Sequence, residues 1–216
     1  MKKGTFIVVE GGDGSGKTTI MEYLKSLFEE AVFDRVFTRE PGGTKVADEI
    51  RVVLLKRRDG DEEIEPETEI FLFEASRAQH LIRVVRPALA EGKLVITDRF
   101  DSSTFAYEIC GNEREDLVPF FVQANALAVG ETVPDLYIYL DVDAETGAQR
   151  RRQRNGEAED TSYDSKALGY HERVRNGYHR FFKEFRPDRY IIIDASQPLE
   201  KVKAAVSGAI SRFISE

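Results

Sequence analysis

A glycine-rich run near the start of the chain carries residues suited to holding phosphate groups. It reads Gly11-Gly12-Asp13-Gly14-Ser15-Gly16-Lys17-Thr18 and matches the pattern G-x-x-x-x-G-K-[ST] between an apolar stretch and a helix-like one. Glycines let backbone N–H groups surround a phosphate, and the start of the next helix adds its positive end. We expect Lys17 to reach the β- and γ-phosphates of a nucleotide and the Thr18 hydroxyl to bind Mg²⁺. The predicted nucleotide-binding residues are Gly11, Gly12, Asp13, Gly14, Ser15, Gly16, Lys17, Thr18 and Thr19.

Further polar residues follow predicted strands or share a helix face. The segments 38–44 and 98–100 end the second and third predicted strands, where ligands of open α/β sheets collect. Asp98 is placed to support Mg²⁺, and Arg99 to contact phosphate. Phe73 and Arg77 are four residues apart on a predicted helix, so their side chains could stack on a base and hydrogen-bond its edge. A structural interpretation stays open for each of them: Asp98 as a helix cap, Arg99 in a surface ion pair and Phe73 in the core.

Five apolar runs rich in β-branched residues alternate with stretches of helical periodicity. The runs are residues 6–9, 36–38, 94–97, 136–140 and 190–193. This alternation predicts an α/β fold with a mostly parallel five-stranded sheet between helices, a three-layer sandwich of the P-loop NTPase type. Residues 67–89 predict one long helix, with Pro66 in its first turn and Gly92 after its end.

The composition bounds the class of protein. The chain has 216 residues, a net charge of −8, 41% hydrophobic and 32% charged residues, which is ordinary for one soluble domain spanning 1–216. The acidic balance argues against a general nucleic-acid binder. No apolar run is long enough to cross a bilayer, and a lone cysteine, Cys110, suits a reducing interior, so we expect the cytoplasm and no membrane partner. The three histidines, His80, His171 and His179, have no familiar metal-binding spacing.

Four motifs in order resemble those of the thymidylate kinases. They are Glu10-Gly-Gly-Asp-Gly-Ser-Gly-Lys-Thr-Thr19, Thr38-Arg-Glu-Pro-Gly-Gly-Thr44, Phe71-Leu-Phe-Glu-Ala-Ser-Arg77 and Asp98-Arg-Phe-Asp-Ser-Ser-Thr-Phe-Ala-Tyr107. The resemblance implies transfer of the γ-phosphoryl group of ATP, with Mg²⁺, to dTMP, giving dTDP and ADP on the way to dTTP. It also implies a nucleoside-monophosphate-kinase-like fold with a short lid at about 150–163, and a homodimer formed through apolar helix faces such as Phe120-Phe121-Val122.

The same resemblance implies roles for the residues that would hold dTMP. Asp13 is similar to the carboxylate that holds the deoxyribose 3′-hydroxyl, and Arg39 and Arg99 to the pair that clamps the monophosphate. Phe73 resembles the ring that stacks on thymine, and Arg77 the residue that bonds its O4. Thr104 stands where relatives place a side chain facing the base, and Tyr107 resembles the ring that crowds the 2′ position. The predicted substrate-binding residues are Asp13, Arg39, Phe73, Arg77, Arg99, Ser103, Thr104 and Tyr107.

Transfer between two anions needs positive charge in the transition state. The phosphate loop supplies none between Asp13 and Gly16, so the chain resembles the subtype that carries catalytic arginines in its lid. Candidates are Arg150, Arg151, Arg152 and Arg154. Of these, Arg150 and Arg154 share a helix face, and we expect this pair to act. The predicted catalytic residues are Lys17, Asp98, Arg99, Arg150 and Arg154, with Thr18 and Asp98 at the metal.

Two other functions are compatible with a phosphate loop. Another nucleoside-monophosphate or deoxynucleoside kinase would share the architecture with a different base pocket. Thr104 and the run Glu108-Ile109-Cys110-Gly111-Asn112, which departs from the family's glycine-rich run, keep that alternative open. A regulatory GTPase would need an Asn-Lys-x-Asp guanine motif after a strand, and the sequence has none.

Overall fold

The computed structural model describes residues 4–29, 34–56, 62–153, 163 and 166–215. Within these ranges, five strands form one parallel sheet in the order β2-β3-β1-β4-β5. The strands are β1 Thr5–Gly11, β2 Arg35–Arg39, β3 Leu94–Asp98, β4 Leu136–Asp141 and β5 Tyr190–Asp194. Each one contains one of the predicted apolar runs, so the predicted α/β fold with a parallel five-stranded sheet is confirmed.

Helices connect the strands and cover both faces of the sheet. They are α1 Lys17–Leu27, α2 Lys45–Leu55, α3 Pro66–His80, α4 Arg86–Ala90, α5 Asp101–Thr104, α6 Val118–Val129, α7 Ala144–Gln153, α8 Leu168–Phe185 and α9 Leu199–Ser215. A π-helical segment, Leu81–Val85, joins α3 to α4, so the long helix predicted over 67–89 is continuous, with Pro66 in its first turn. A second π-helical segment, Phe105–Gly111, continues α5. A short 3₁₀ turn, Glu115–Leu117, precedes α6.

Alternation along the strands builds a core on each face of the sheet. In β1, Phe6 and Val8 join the core under the α3, α6 and α8 side, while Ile7 and Val9 join the core under α1 and α9. This is the burial that a parallel sheet needs, because both of its faces are covered by helices. Cys110 is half-buried and packs against the first of these cores.

The carboxyl ends of the parallel strands share one edge of the sheet. Val9 in β1 pairs in register with Asp98 in β3, and Arg39 at the end of β2 pairs with Asp98 as well. The glycine-rich run follows β1 directly at this edge, so the predicted phosphate-binding and acceptor-binding residues start from neighbouring points.

Two features of the sequence lie outside the described residues. They are Arg154, with the rest of the polar stretch to residue 162, and residues 57–61 of the charged connection between α2 and α3. In the part of the chain that is described, no helix is long and apolar enough to cross a membrane.

Candidate functional site

The phosphate loop, residues 11–18, leads from β1 into α1. Gly16 precedes the helix in the left-handed region (φ 89°), and its carbonyl accepts a hydrogen bond from the Ile20 amide at 3.0 Å. Gly14 also has a positive φ, 77°, and a Cβ there would clash with the carbonyl oxygen of Gly147 in α7. Glycine is therefore required at Gly14 both for the turn and for the close approach of α7.

Lys17 is the first residue of α1 and is only 8% exposed. Its ammonium group donates hydrogen bonds to the carbonyl oxygens of Gly11, at 2.7 Å, and Gly12, at 3.2 Å. Burial and, to a smaller extent, the positive charge of Arg99 lower the pKa of Lys17 to about 8, against the opposing effect of Asp98. The lysine is thus held on the loop as a desolvated cation, which favours pairing with an anion.

Two side-chain oxygens beside the loop are buried and have no hydrogen-bond partner among the described residues. One is Oδ1 of Asp98, at the end of β3, and the other is Oγ of Ser15. Buried polar atoms are nearly always paired in native structures, so an unpaired carboxylate oxygen at this edge fits a ligand that supplies the missing partner. Thr18, whose hydroxyl was predicted to bind Mg²⁺, is exposed in the first turn of α1. The donor set of one carboxylate and one hydroxyl fits Mg²⁺, which is commonly bound through few protein ligands together with phosphate oxygens.

Arg99 joins the phosphate loop to the neighbouring helices. Its backbone lies in the left-handed region (φ 69°), which is uncommon for a residue other than glycine and is found at functional sites. Its guanidinium donates to the carboxylate of Asp13 at 2.9 Å, to the Ser103 hydroxyl at 3.1 Å, to the Tyr178 hydroxyl at 3.0 Å and to the Tyr107 hydroxyl at 3.3 Å. The turn aims a cation back at the phosphate loop.

The charges of Asp13 and Arg99 stabilise each other. Burial raises the pKa of Asp13, but the positive charges of Arg99 and Lys17 outweigh this effect and hold it below its usual range. Burial also disfavours the charged form of Arg99, yet its hydroxyl and carboxylate partners raise its pKa well above the ordinary value. Both groups are therefore ionised at neutral pH.

Glu10, a buried acid at the end of β1, positions the segment after β3, and the sequence analysis gave it no role. Its carboxylate accepts hydrogen bonds from the Phe100 amide at 2.7 Å, the Ser102 hydroxyl at 2.7 Å and the Ser103 hydroxyl at 2.8 Å. Burial raises the pKa of Glu10, and Arg99 and these donors oppose the rise. A charged residue ending an otherwise apolar strand was the one sequence signal that could have identified it.

Arg77, on α3, is 1% exposed and is surrounded by acceptors. It donates to the carboxylate of Glu40 at 3.0 Å, to the hydroxyl of Thr104 at 2.9 Å, to the amide oxygen of Asn125 at 3.4 Å and to the carboxylate of Glu74. Burial opposes the charge of Arg77, but the negative charges of Glu74 and Glu40 outweigh it and raise the pKa further above the ordinary value. Glu40 and Glu74 thus fix Arg77, a role that the sequence alone did not indicate for either of them.

His80 extends this network away from the site. Its Nδ1 contacts the Glu40 carboxylate and its Nε2 contacts the Thr38 hydroxyl, each at 2.8 Å. It is fully buried, so it belongs to a hydrogen-bonded core network that fixes Glu40.

A cleft beside Arg77 gathers most of the residues predicted to bind an acceptor. We call it the Arg77 cleft; it holds about 630 Å³ of empty space and is partly open to solvent. The predicted residues that line it are Asp13, Phe73, Arg77, Arg99, Ser103, Thr104 and Tyr107. Phe73 is half-buried in its wall, with Pro41 and Leu55 adding apolar surface. Such a cleft, apolar with a few converging polar groups, is suited to a flat ring that carries hydrogen-bonding edges.

Arg39 is placed differently from the other predicted acceptor residues. Its side chain is 56% exposed and pairs with Asp48 at 3.1 Å. It does not line the Arg77 cleft, although it ends the strand next to β3. The structure thus pairs Arg99, and not Arg39, with the interior of the cleft.

A second pocket, which we call the Arg150 pocket, borders the other residues of the phosphate loop. It is lined by Gly14, Ser15, Gly16, Thr19, Arg150 and Gln197, together with apolar residues of α1 and α9. Arg150, on α7, is fixed by a hydrogen bond to the carbonyl oxygen of Ala195 at 2.8 Å. Thr19 is half-buried at the base of the pocket.

The other arginines of α7 point in different directions. Arg151 lies 3.9 Å from the carboxylate of Asp13 and contacts His171 at 3.3 Å, whereas Arg152 is exposed. Arg154 is outside the described residues, so the predicted action of Arg150 and Arg154 as a pair stays a prediction.

Comparison with known proteins gives one consistent result. The family model described as thymidylate kinase matches residues 9–206. The thymidylate kinase of Desulfovibrio desulfuricans is 39% identical over 213 residues, covering 97% of this chain and 96% of that protein. Those of Geobacillus sp. (strain WCH70) and Clostridium novyi are each 39% identical over 208 residues, covering 96% of this chain and 96% and 98% of the relatives.

Proposed function

The chain belongs to the thymidylate kinase family, and from this premise we propose that it transfers the γ-phosphoryl group of ATP to dTMP, giving dTDP and ADP. The observation that carries the proposal is the joining of two sites through one ion pair. Asp13 belongs to the phosphate loop and also lines the Arg77 cleft, and Arg99 holds it at 2.9 Å. A donor phosphate on the loop and an acceptor in the cleft would therefore meet beside the same pair.

The donor is held by the loop and by the Arg150 pocket. The ammonium group of Lys17 exchanges its hydrogen bonds to the two carbonyl oxygens for hydrogen bonds to the β- and γ-phosphates. The exchange is favourable because a hydrogen bond between two charged groups is stronger than one to a neutral carbonyl. The rest of the ATP molecule binds in the Arg150 pocket, where the carbonyl oxygen of Ala195 holds the guanidinium of Arg150. We retain Arg150 and Arg154 as the lid arginines that act on the transferred group.

The Thr18 hydroxyl and Asp98, whose Oδ1 is buried without a partner among the described residues, would hold a magnesium ion. When bound, it would supply positive charge that offsets the charge of the phosphates. Asp98 has a second effect, because its negative charge supports the protonated form of Lys17.

The acceptor is oriented by the Arg77 cleft. Phe73 stacks on the thymine ring, and Arg77 with Thr104 presents hydrogen-bonding groups to its edge. Arg99 binds the monophosphate with a rigid fork of donors, and Arg39 reaches it from the mouth of the cleft. Asp13, Ser103 and Tyr107 line the sugar side.

Catalysis is then positioning and charge stabilisation, with little covalent chemistry by the protein. Arg99 and Lys17 bring positive charge to the two reacting phosphates, and the ion pair with Asp13 keeps Arg99 in place before substrate arrives. Donors that are already oriented need no reorganisation in the transition state. This preorganisation is the structural advantage of building the cleft from buried partners.

Measuring ADP release with ATP, Mg²⁺ and each deoxynucleoside monophosphate in turn tests the proposal. We expect dTMP to give the highest kcat/KM. Another monophosphate kinase of the same fold would instead turn over a different base, and release equal to the no-acceptor control with dTMP would refute the dTMP assignment. Ribonucleoside monophosphates serve as the matched comparison for the sugar side of the cleft.

We also propose a homodimer formed through α3 and α6. Exposed apolar side chains lie on these two helices, namely Phe71, Val122 and Leu127, the last 87% exposed. The rings of Phe120 and Phe71 pack edge to face, with 4.7 Å between their centroids. Phe121 is buried in the core and therefore cannot contact a second copy of the chain. Light scattering after gel filtration should report a dimer for the wild type and a monomer for Leu127→Glu, with Leu199→Glu on α9 as the matched control.

We also propose that the enzyme works in a reducing compartment. The single cysteine, Cys110, allows no intramolecular disulfide, so we place the enzyme in the cytoplasm.

A further inference from the structure

The wall of the Arg77 cleft beyond Tyr107 is formed by Glu108 and Tyr163, which have no part in the mechanism above. Both side chains line the cleft, and both are buried, Glu108 completely. They come from distant parts of the chain: Glu108 lies in the π-helical segment after α5, and Tyr163 precedes α8.

One hydrogen bond ties these two parts together. The Tyr163 hydroxyl donates to Oε1 of Glu108 at 3.0 Å, and the side-chain amide of Asn112 donates to Oε2 at 3.2 Å. The ring of Tyr163 also packs edge-on against the ring of Tyr107, with 5.4 Å between centroids. Tyr107 is a lining residue of the cleft, so this contact transmits the placement of Tyr163 to the nucleotide site.

The surroundings of Glu108 favour its uncharged form. Burial raises its pKa well above the usual range, and the Glu69 carboxyl group from α3, within hydrogen-bonding reach, raises it further; Tyr163 and Lys166 oppose the rise. Tyr170, from α8, also faces the same region.

We propose that Glu108 and Tyr163 are positioning residues for the acceptor nucleotide, and that their hydrogen bond fixes the wall of the Arg77 cleft against which dTMP is oriented. The inference rests on the proposed function. An uncharged carboxyl group suits this wall, because a buried carboxylate would repel an anionic nucleotide and would cost desolvation energy.

Steady-state kinetics of Tyr163→Phe, Glu108→Ala and Glu108→Gln test the inference. Phenylalanine keeps the ring and removes only the hydroxyl, so we expect the KM for dTMP to rise about three- to tenfold, the usual effect of one hydrogen bond. Glu108→Ala should raise it at least as much. Glu108→Gln should stay within about twofold of the wild type, since its amide oxygen still accepts the hydrogen bond from Tyr163 and its side chain has nearly the same size. In all three variants kcat and the KM for ATP should stay near the wild-type values.

The matched control is Tyr190→Phe, which removes a hydroxyl from a ring that stacks on Phe182 in the core beside β5. Its KM for dTMP should be unchanged. Circular dichroism and thermal unfolding check that each variant is folded, and Tyr163→Phe keeps the test decisive if Glu108→Ala does not fold.

Three results would overturn the inference. They are an unchanged KM for dTMP in Tyr163→Phe, an equal rise in the Tyr190→Phe control, and a KM in Glu108→Gln as high as in Glu108→Ala. A wild-type enzyme that does not phosphorylate dTMP would instead refute the proposed function; the same variants are then compared with the monophosphate that it does phosphorylate.

Discussion

The Arg77 cleft and the Arg150 pocket both border the phosphate loop, but different kinds of residue line them. The Arg77 cleft is lined by charged side chains that are paired with one another, such as the buried pair of Arg77 with Glu40 and the half-buried pair of Arg99 with Asp13. The Arg150 pocket is lined by loop residues 14–16 and by apolar side chains of α1 and α9, and its arginine is held by a backbone carbonyl. Backbone groups can hold the phosphates of any nucleoside triphosphate, whereas a choice among bases needs specific polar partners.

The difference follows from the energetics of discrimination. A site that hydrogen-bonds a particular base edge rejects another base because its own buried groups would be left unpaired. Arg77 can impose that penalty, since it is buried and its neighbours are already fixed. Arg150 is anchored at one point and is proposed to act on a phosphoryl group that all nucleoside triphosphates share, so we expect it to contribute little to selectivity.

The largest effect should come from Lys17→Ala, at the boundary of the two pockets. Removing the cation that meets the β- and γ-phosphates should lower kcat by about a thousandfold, in the range found when one preorganised electrostatic group is deleted. The KM for dTMP should change little, because Lys17 does not line the Arg77 cleft. Lys25→Ala, an exposed lysine in the same helix, is the control. Residual activity within tenfold of the wild type would contradict the role of Lys17.

Arg77→Met should separate the two pockets by stability. The change leaves Glu40 and Glu74 buried without their cation, which typically costs about 3–5 kcal/mol of unfolding free energy. Arg150→Met should cost less than about 1 kcal/mol, since only one hydrogen bond to a carbonyl is lost. Urea unfolding of both variants measures the difference. Equal losses of unfolding free energy would mean that the two arginines stabilise the fold to the same extent, which would contradict the difference between the two pockets.

Many residues of the two pockets could be predicted from the sequence, but the contacts that fix them join residues that are distant in the chain. The phosphate-loop pattern and the i,i+4 spacing of Phe73 and Arg77 are local features, so the sequence alone predicts them. The pairing of Glu10 with the Phe100 amide spans 90 positions, and that of Arg77 with Glu40 spans 37. No periodicity encodes such contacts, because they exist only once the strands have been ordered.

Local sequence patterns also do not reveal which side chains are exposed. The segment 120–122 was predicted to offer a dimer surface, yet Phe121 points into the core. Arg39 and Arg99 are both predicted to hold the monophosphate, but their exposure differs: Arg39 is exposed, whereas Arg99 is half-buried in a turn with positive φ. Side-chain direction at a strand end depends on the turn that follows, and the residue types alone do not reveal it.

The pH dependence should distinguish donor from acceptor binding. In the free enzyme Lys17 has a pKa of about 8, so it is charged below that pH and loses its proton as the pH rises. The kcat/KM for ATP should therefore fall about tenfold per pH unit above pH 8, because this parameter reports the free enzyme. With ATP saturating, the kcat/KM for dTMP should lack this loss near pH 8, since bound phosphate keeps Lys17 charged. Lys17→Arg should move the alkaline loss to higher pH; an unchanged profile would assign it to another group.

The smallest effect on stability should come from Arg39→Ala, which tests whether the exposed arginine serves binding alone. Its ion pair with Asp48 is exposed, so its loss should change the unfolding free energy by less than about 0.5 kcal/mol. If Arg39 reaches the dTMP phosphate, the KM for dTMP should nevertheless rise, by up to about tenfold, because a hydrogen bond to a charged group is lost. Arg83→Ala, at another exposed arginine, should change neither quantity. A normal KM in Arg39→Ala would leave Arg99 as the principal cation of the acceptor phosphate, and would concentrate the selectivity of the enzyme in the buried side of the cleft.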